Sequence, residues 1–426
     1  MPESSIATAA SGAASPAASP AASPAAGNVA LAILAGFSAS LLAIGLARFA
    51  YTPLIPPLIQ AHWFTAAQAV TLGAANFAGY LAGALLGRPL ARAAGNRAAL
   101  RAMMLLATAA FFACAYPLSV SWFFLWRFAS GLAGGAIMVL AASAVLPHIP
   151  ATRRGFAGGM IFVGLGVGIA ASGTLIPRLL QQGLQQTWLG LGVLALLLTA
   201  VSWFGWPADP PPAAAAASPH TTAHTTPPHA APAPRKALAL LYAQYAANAL
   251  GLVPVMMLLV DYVARGLGRG AATGAACWVL YGAAAIAGPL ACGYIADRIG
   301  FAKAYRIALA LQVIGTALLV LSSNAIAIGL ATVILGALTP GVVTLVLGRV
   351  NALLPHDPAA QRAAWSRATT AFALCQAAGG YGYAWLFARS HGHYTLIFAC
   401  GTVALVLAWV ADVVGGSAAG EGRLAA

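Results

Sequence analysis

The chain has 426 residues, 61% of them hydrophobic and 7% charged, and a mean hydropathy of +0.86. Water cannot solvate that much apolar surface, so most of the chain must lie in lipid, which excludes a soluble enzyme and a disordered chain. The formal net charge of +14 falls in short loops and at a few sites inside apolar runs, without interleaved aromatics, which argues against a nucleic-acid partner.

Residues 1–28, with "SPAASPAASPAAG", read as a disordered tail, and they lack the basic start and apolar run of a cleavable signal. Apolar runs then predict membrane-spanning helices at 29–59, 66–87, 98–118, 121–146, 156–178 and 187–206. Residues 207–236, "PADPPPAAAAASPHTTAHTTPPHAAPAPRK", carry no apolar periodicity and are expected to form a disordered linker. Six more spans follow at 237–261, 271–292, 304–322, 325–350, 365–388 and 394–414, and 415–426 is a short tail. Thr339, Pro340 and Gly341 are expected to interrupt the tenth span. The fold class is thus all-α integral membrane, twelve helices in two six-helix bundles, 29–206 and 237–414.

Orientation follows from Arg and Lys. Loops after even-numbered spans hold twelve (Arg88, Arg92, Arg97, Arg101, Arg153, Arg154, Arg235, Lys236, Arg298, Lys303, Arg306, Arg362), and loops after odd-numbered spans hold four (Arg178, Arg265, Arg269, Arg389). Both termini and the linker are therefore expected in the cytoplasm, with the chain in the cell inner membrane. Cys114, Cys277, Cys292, Cys375 and Cys400 form no CxxC pair and read as packing residues. His220, His224 and His229 in the linker lack the fixed geometry of a metal site, and no nucleotide-binding loop or catalytic constellation is present, so neither metal nor cofactor is expected and the chain is not read as an enzyme.

The two halves repeat each other. "VLPHIPATRRG" (145–155) and "LLPHDPAAQRA" (353–363) stand 208 residues apart, and "GRPLARAAG" (87–95) has a counterpart in "GYIADRIG" (293–300). In the second of these loops Gly293, Asp297, Arg298 and Gly300 fit the G-x-x-x-D-R-x-G signature of the major facilitator superfamily, and "WRFASGLAGG" (126–135) resembles its fourth-helix R-x-x-x-G pattern. "GLARFAYTPLIP" and "YGAAAIAGPLACGYIADRIGF" resemble the YbfB/YjiJ-type branch. The resemblance covers 29–414 and implies alternating-access transport of a small molecule across the bilayer, by a chain acting as a monomer. The loop also has a physical reading of its own: Asp297 caps a helix N-terminus or pairs with Arg298 and neighbouring basic groups such as Arg92, holding the cytoplasmic side closed in one state. Counting from Gly87, Ala91 takes the place of the acid in the first-half copy.

Two arginines interrupt apolar spans: Arg48 in the first and Arg127 in the fourth. Burying each costs about 2.5–3.5 kcal/mol on insertion scales, so a partner is expected. Between Glu3 and Asp209 the chain has no Asp or Glu. Either Asp261 in the second half neutralises them or an anionic substrate does. In the superfamily arrangement the first, fourth, seventh and tenth helices line the cavity. Arg48, Tyr51, Arg127, Tyr245, Asn248 and Thr339 would then face it, with Gly131 and Gly135 clearing space along the face of Arg127. Asn76, Tyr80, Tyr281 and Gln376 would add a second ring. Small residues at Gly155, Gly159, Gly164, Gly168 and Ser172 give the fifth span a face for close packing or sliding.

The first functional expectation is a transporter of a small organic anion, with guanidinium forks as ligands. The alternatives are an exporter of apolar or cationic compounds coupled to protons through Asp261, and a transporter-shaped sensor or scaffold.

Overall fold

A computed structural model describes residues 26–150, 153–208, 235–355 and 357–424. Helix α1 (Ala26–Ser40) runs into a π-helical stretch, Leu41–Leu46, then a turn through 47–50 and helix α2 (Tyr51–Gln60). These together make the first span, which is broken where a single helix was expected. Pro53 is the physical reason: its ring nitrogen cannot donate to the Phe49 carbonyl and the ring crowds it. The chain widens before the break, with Ala47 N donating to Leu42 O at 2.8 Å and Phe49 N to Ile44 O at 3.3 Å. Arg48 sits in that turn.

Helices α3 (Ala66–Ala94), α4 (Asn96–Cys114), α5 (Val120–Val145), α6 (Arg154–Leu179) and α7 (Leu184–Ser202) complete the first half. The second half consists of α8 (Arg235–Asp261), α9 (Gly270–Ile299), α10 (Phe301–Leu321), α11 (Ala325–Leu353), α12 (Pro358–Arg389) and α13 (Tyr394–Leu424). Polar residues cap the helix starts: Thr65 and Gln68 form a capping box on α3, Ser119 caps α5, Asn324 caps α11 and Asp357 caps α12. Among the described residues eleven spans are long and apolar enough to cross a membrane. The twelfth, α12, has the length at 32 residues but carries Gln361, Arg362, Ser366, Arg367, Thr369 and Thr370 in its first half.

Three boundaries depart from expectation. Helix α8 begins at Arg235, inside the predicted linker, and α13 continues to Leu424, through the predicted tail. Helix α11 passes Pro340 without a break, since one missing donor in 29 residues is tolerated when neighbours hold the flanks. The linker histidines lie outside the described residues.

Pseudo-symmetry is visible as a constant offset of 205. Glycines let α3 approach α5 and α9 approach α11: a Cβ on Gly83 would run into the Leu132 carbonyl, and one on Gly288 into that of Ala337. Gly131 lies against the Asn76 carbonyl and Gly336 against that of Tyr281. In lipid, where apolar burial supplies no drive to associate, such backbone proximity holds helices together. Gly131 and Gly135 therefore make room for the α3 backbone, a correction to the expectation that they clear space beside Arg127.

The halves meet along α3 with α12 and along α6 with α9. The cross-half contacts run from the middle to the end away from the chain termini: Gly380 on Phe77 and Ala74, Gly173 on Val279, Gly166 on Ile286, and Thr52 Oγ1 donating to Met256 O at 2.6 Å. At the terminal end the second half has a separate hydrophobic core around Tyr305, Leu309, Val346 and Ala368. Gly164 and Gly168 face Phe37, Leu41 and Gly45 of the first span, whereas Gly159 touches nothing within 4 Å.

Candidate functional site

Because the span breaks at 47–50, Arg48 leaves the helical ladder and enters the space between the halves. It is half-buried, with its guanidinium carbon 4.7 Å from the ring centre of Phe77, 5.0 Å from Tyr80 and 5.2 Å from Phe49. Each ring face attracts the cation by about 0.5–2 kcal/mol. Its Nη2 lies 3.6 Å from Met256 Sδ, and Gln376 Nε2 reaches the same sulfur at 3.4 Å. Met256 thus joins Arg48 of the first half to Gln376 of the second. A methionine in an apolar run carries no sequence signal for such a role.

Arg127 is buried and differently held. Its Nη1 donates to Ala47 O at 2.8 Å, on the turn beside Arg48, and its guanidinium lies 4.2 Å from the Tyr51 ring centre. Tyr51 turns its ring to Arg127 and donates its hydroxyl to Ala69 O at 2.8 Å, so its proton is spent inside the first half. Asn76, expected in a second ring with Tyr80, Tyr281 and Gln376, holds to the Arg127 helix: its amide donates to Ser130 Oγ at 2.9 Å and to Arg127 O at 3.3 Å. Arg48, Arg127, Asn76, Thr52 and Gly73 line a narrow, partly open pocket of about 10 Å³, the lower limit for one water.

On the second half Tyr281 and Thr339 share a hydrogen bond of 2.5 Å, and Trp278 stacks on Tyr281 with 4.9 Å between ring centres. Asn248 donates to Gln312 Oε1 at 2.6 Å. Gln312, the lone amide of the 304–322 span, was legible in principle and was missed. Tyr245 packs on Phe372 at 4.5 Å, on the core of its own half. The structure therefore brings together Arg48, Tyr80 and Gln376 through contacts to shared residues. Asn248 and Tyr245 lie in separate packing groups.

Both buried acids are engaged within the second half. Asp261 takes a bidentate pair from Arg265, at 2.6 and 2.7 Å, and a hydrogen bond from the Tyr394 hydroxyl at 2.6 Å. Asp412, which the sequence reading passed over, accepts from Arg306 Nε at 2.9 Å and from Arg349 Nη1 at 2.5 Å. Among the described residues no carboxylate pairs with Arg48 or Arg127.

The signature loop closes α9 with Gly300, at φ 86° and ψ 147°, its N–H on Ala296 O; Gly95 closes α3 at φ 85° and ψ 154°, its N–H on Ala91 O. Positive φ at both caps calls for glycine. These caps set the register, so Ala91 matches Ala296 and Arg92 matches Asp297, which corrects the count from Gly87. Arg92, Asp297 and Arg298 are exposed at the terminal end, and Arg298 lies on the Tyr294 ring at 3.9 Å.

The family model described as an uncharacterised MFS-type transporter, YbfB, matches residues 40–413. No curated protein matches the chain in sequence. Among solved structures the chain is similar to a D-xylose-proton symporter, at 15% identity and TM-score 0.68, covering 89% of this chain and 96% of that one. It is also similar to the xylose transporter XylE from E. coli in a partially occluded inward open conformation, at 15% identity and TM-score 0.69, covering 90% and 97%.

Proposed function

The chain belongs to the YbfB-type family of the major facilitator superfamily, and within it we propose a secondary active transporter that moves a small organic anion by alternating access. It is a membrane transporter and not an enzyme. The observation that carries the anionic substrate is Arg48, a half-buried guanidinium held among rings and a sulfur, with no carboxylate on it among the described residues. Asp261 supports the reading from the other side, since its engagement with Arg265 and Tyr394 removes it as counter-ion and speaks against it as a coupling acid. Gln376 and Tyr80 would orient the bound anion, and the glycine seam between α6 and α9 would serve as the surface along which the halves rock.

A second reading takes a neutral polyhydroxyl solute coupled to protons. It is favoured by the Trp278–Tyr281–Thr339 group, a ring face beside paired hydroxyls, and by the sugar-proton symporter of like fold. Thermal-shift measurements on purified protein with organic anions, organic cations and sugars separate the two, because ligand binding stabilises the folded state by mass action. Stabilisation by anions that disappears in Arg48→Gln supports the first; stabilisation by sugars that survives Arg48→Gln replaces it with the second.

We place both tails and the 207–236 linker in the cytoplasm of a cell whose inner membrane holds the monomer, on the twelve-to-four charge bias. Single cysteines in the linker of a cysteine-free variant are expected to resist impermeant thiol reagents in intact cells. Ready labelling would reverse the orientation.

A further inference from the structure

At the end of the second half away from the chain termini, an open groove of about 450 Å³ lies between the π-helical stretch Tyr262–Gly266 that follows α8, the turn from α10 to α11 and the turn from α12 to α13. It shares no residue with the pocket at Arg48. Ser322, Ser323, His393 and Thr395 give it polar groups, and Leu267 and Leu321 give it apolar surface, with Leu321 81% exposed. We propose that this groove holds the headgroup of an anionic phospholipid. The site rests on neither the transport reading nor the orientation of the chain.

The groove lies at headgroup depth. Four helix ends, Leu321, Ala325, Arg389 and Tyr394, flank its two turns, so it opens where the spans leave the hydrocarbon and where an exposed Leu321 belongs against acyl chains. Charge narrows the occupant further. This end of the second half carries Arg265, Arg269 and Arg389 against one acid, Asp261, which is fully buried and already takes two hydrogen bonds from Arg265 and one from Tyr394. Arg265 Nη2 also donates to the Tyr394 hydroxyl at 3.1 Å, and Arg269 Nη2 donates to the Ser323 carbonyl, so both arginines hold residues of the groove. A cation finds no counter-charge there, whereas basic groups beside spans attract anionic headgroups. The hydrogen-bonding groups agree. Ser322 Oγ accepts from Asn324 N at 3.2 Å and keeps its own proton, and His393 Nδ1 accepts from Leu396 N at 3.3 Å, which puts its proton on Nε2. Both protons are left to donate to phosphate oxygens.

In full-length protein without native cysteines, Ser323→Cys sets a thiol on the groove, and its modification by N-ethylmaleimide, an uncharged reagent, is timed in neutral micelles. Short-chain phosphatidylglycerol should slow the reaction saturably and more than phosphatidylcholine of the same chain length, while inorganic phosphate should do little. Tyr116→Cys, exposed at the same end of the first half, should show no difference between the lipids. Two further changes should weaken the phosphatidylglycerol effect about fivefold or more, the scale of one basic group near an anionic lipid surface. Arg269→Gln keeps an N–H for the Ser323 carbonyl without the charge, and Thr395→Asp brings a carboxylate to the groove while suiting the first turn of α13. On protein with its native cysteines, native mass spectrometry should find phosphatidylglycerol retained over phosphatidylcholine, and less of it on Thr395→Asp. Arg48→Gln should keep the preference. Equal protection by the two lipids, or a preference that survives both Arg269→Gln and Thr395→Asp, would overturn the site. Inorganic phosphate as effective as phosphatidylglycerol would replace the lipid with a free oxyanion, and loss of the preference in Arg48→Gln would move the lipid to the transport pocket; either result overturns the proposal.

Discussion

In the second half, Asp412 gathers Arg306 from α10 and Arg349 from α11, and Asp261 holds Arg265 and Tyr394 at the opposite end. In the first half, the half-buried Arg48 and the buried Arg127 meet ring faces, a sulfur and a carbonyl instead of acids. One half compensates its buried charge within itself, and in the other no carboxylate pairs with either arginine among the described residues. That division is what the proposed anion carrier would need, because a guanidinium already saturated by a carboxylate gains little from a second anion. The lesson is that a buried arginine's role is read from its partners and not from its depth.

The contrast makes substitutions of these charges diverge. Asp412→Asn should have the largest effect on stability, about 3 kcal/mol, because two guanidiniums lose their counter-charge together while the more exposed Arg306 keeps access to water; it is measured by thermal or denaturant unfolding of purified protein. Arg48→Gln should leave stability near wild type and weaken organic-anion binding about 10- to 100-fold, from the loss of charge-assisted hydrogen bonds worth about 1.5–3 kcal/mol. Arg48→Lys should recover only part of that, because an ammonium keeps the charge without the planar fork. A large loss of stability in Arg48→Gln with unchanged binding would put the two halves in the same class. Asp261→Asn should cost about 1–2 kcal/mol of stability, less than Asp412→Asn because one guanidinium loses its counter-charge instead of two and Arg265 keeps the Tyr394 hydroxyl. Rescue of Arg48→Gln by Asp261→Asn would reveal an ion pair between them in another conformation.

The gating loops allow a smaller test of the same asymmetry. Asp297→Asn should shift the balance between open and closed terminal ends about two- to fivefold, the scale of an exposed pair, read by accessibility of a reporter cysteine at that end. Ala91→Ser should do nothing. Arg92→Ala should act more strongly than Ala91→Ser, since the helix caps place Arg92 at the position of Asp297.

Much of the architecture was legible because the bilayer imposes a length and a polarity on each span. The break at Arg48 was not read, although Pro53 signals it four residues beyond Phe49. The tenth span shows the opposite error, with Pro340 absorbed into a continuous α11. A proline removes one donor in either place, and whether the helix parts there depends on what holds the flanks. For the candidate site, the arginines were found because charge is conspicuous in an apolar run. Met256, which bridges Arg48 and Gln376, was invisible because a methionine is unremarkable there. Asp412 had the same signal as Asp261 and was overlooked.

The sequence by itself determined that this is a membrane protein of two repeated helical halves, because hydropathy is a sum over local residues and the repeat is written in them. It also determined that the first half holds arginines without acids, a matter of counting. Only the tertiary structure decided which polar groups meet: Asp261 with Arg265 instead of Arg48, Tyr51's hydroxyl on Ala69, and Gly131 against the α3 backbone. The physical reason is that side-chain contacts in lipid depend on helix rotation and on approach set by glycines at several helices at once, and no single span contains that information.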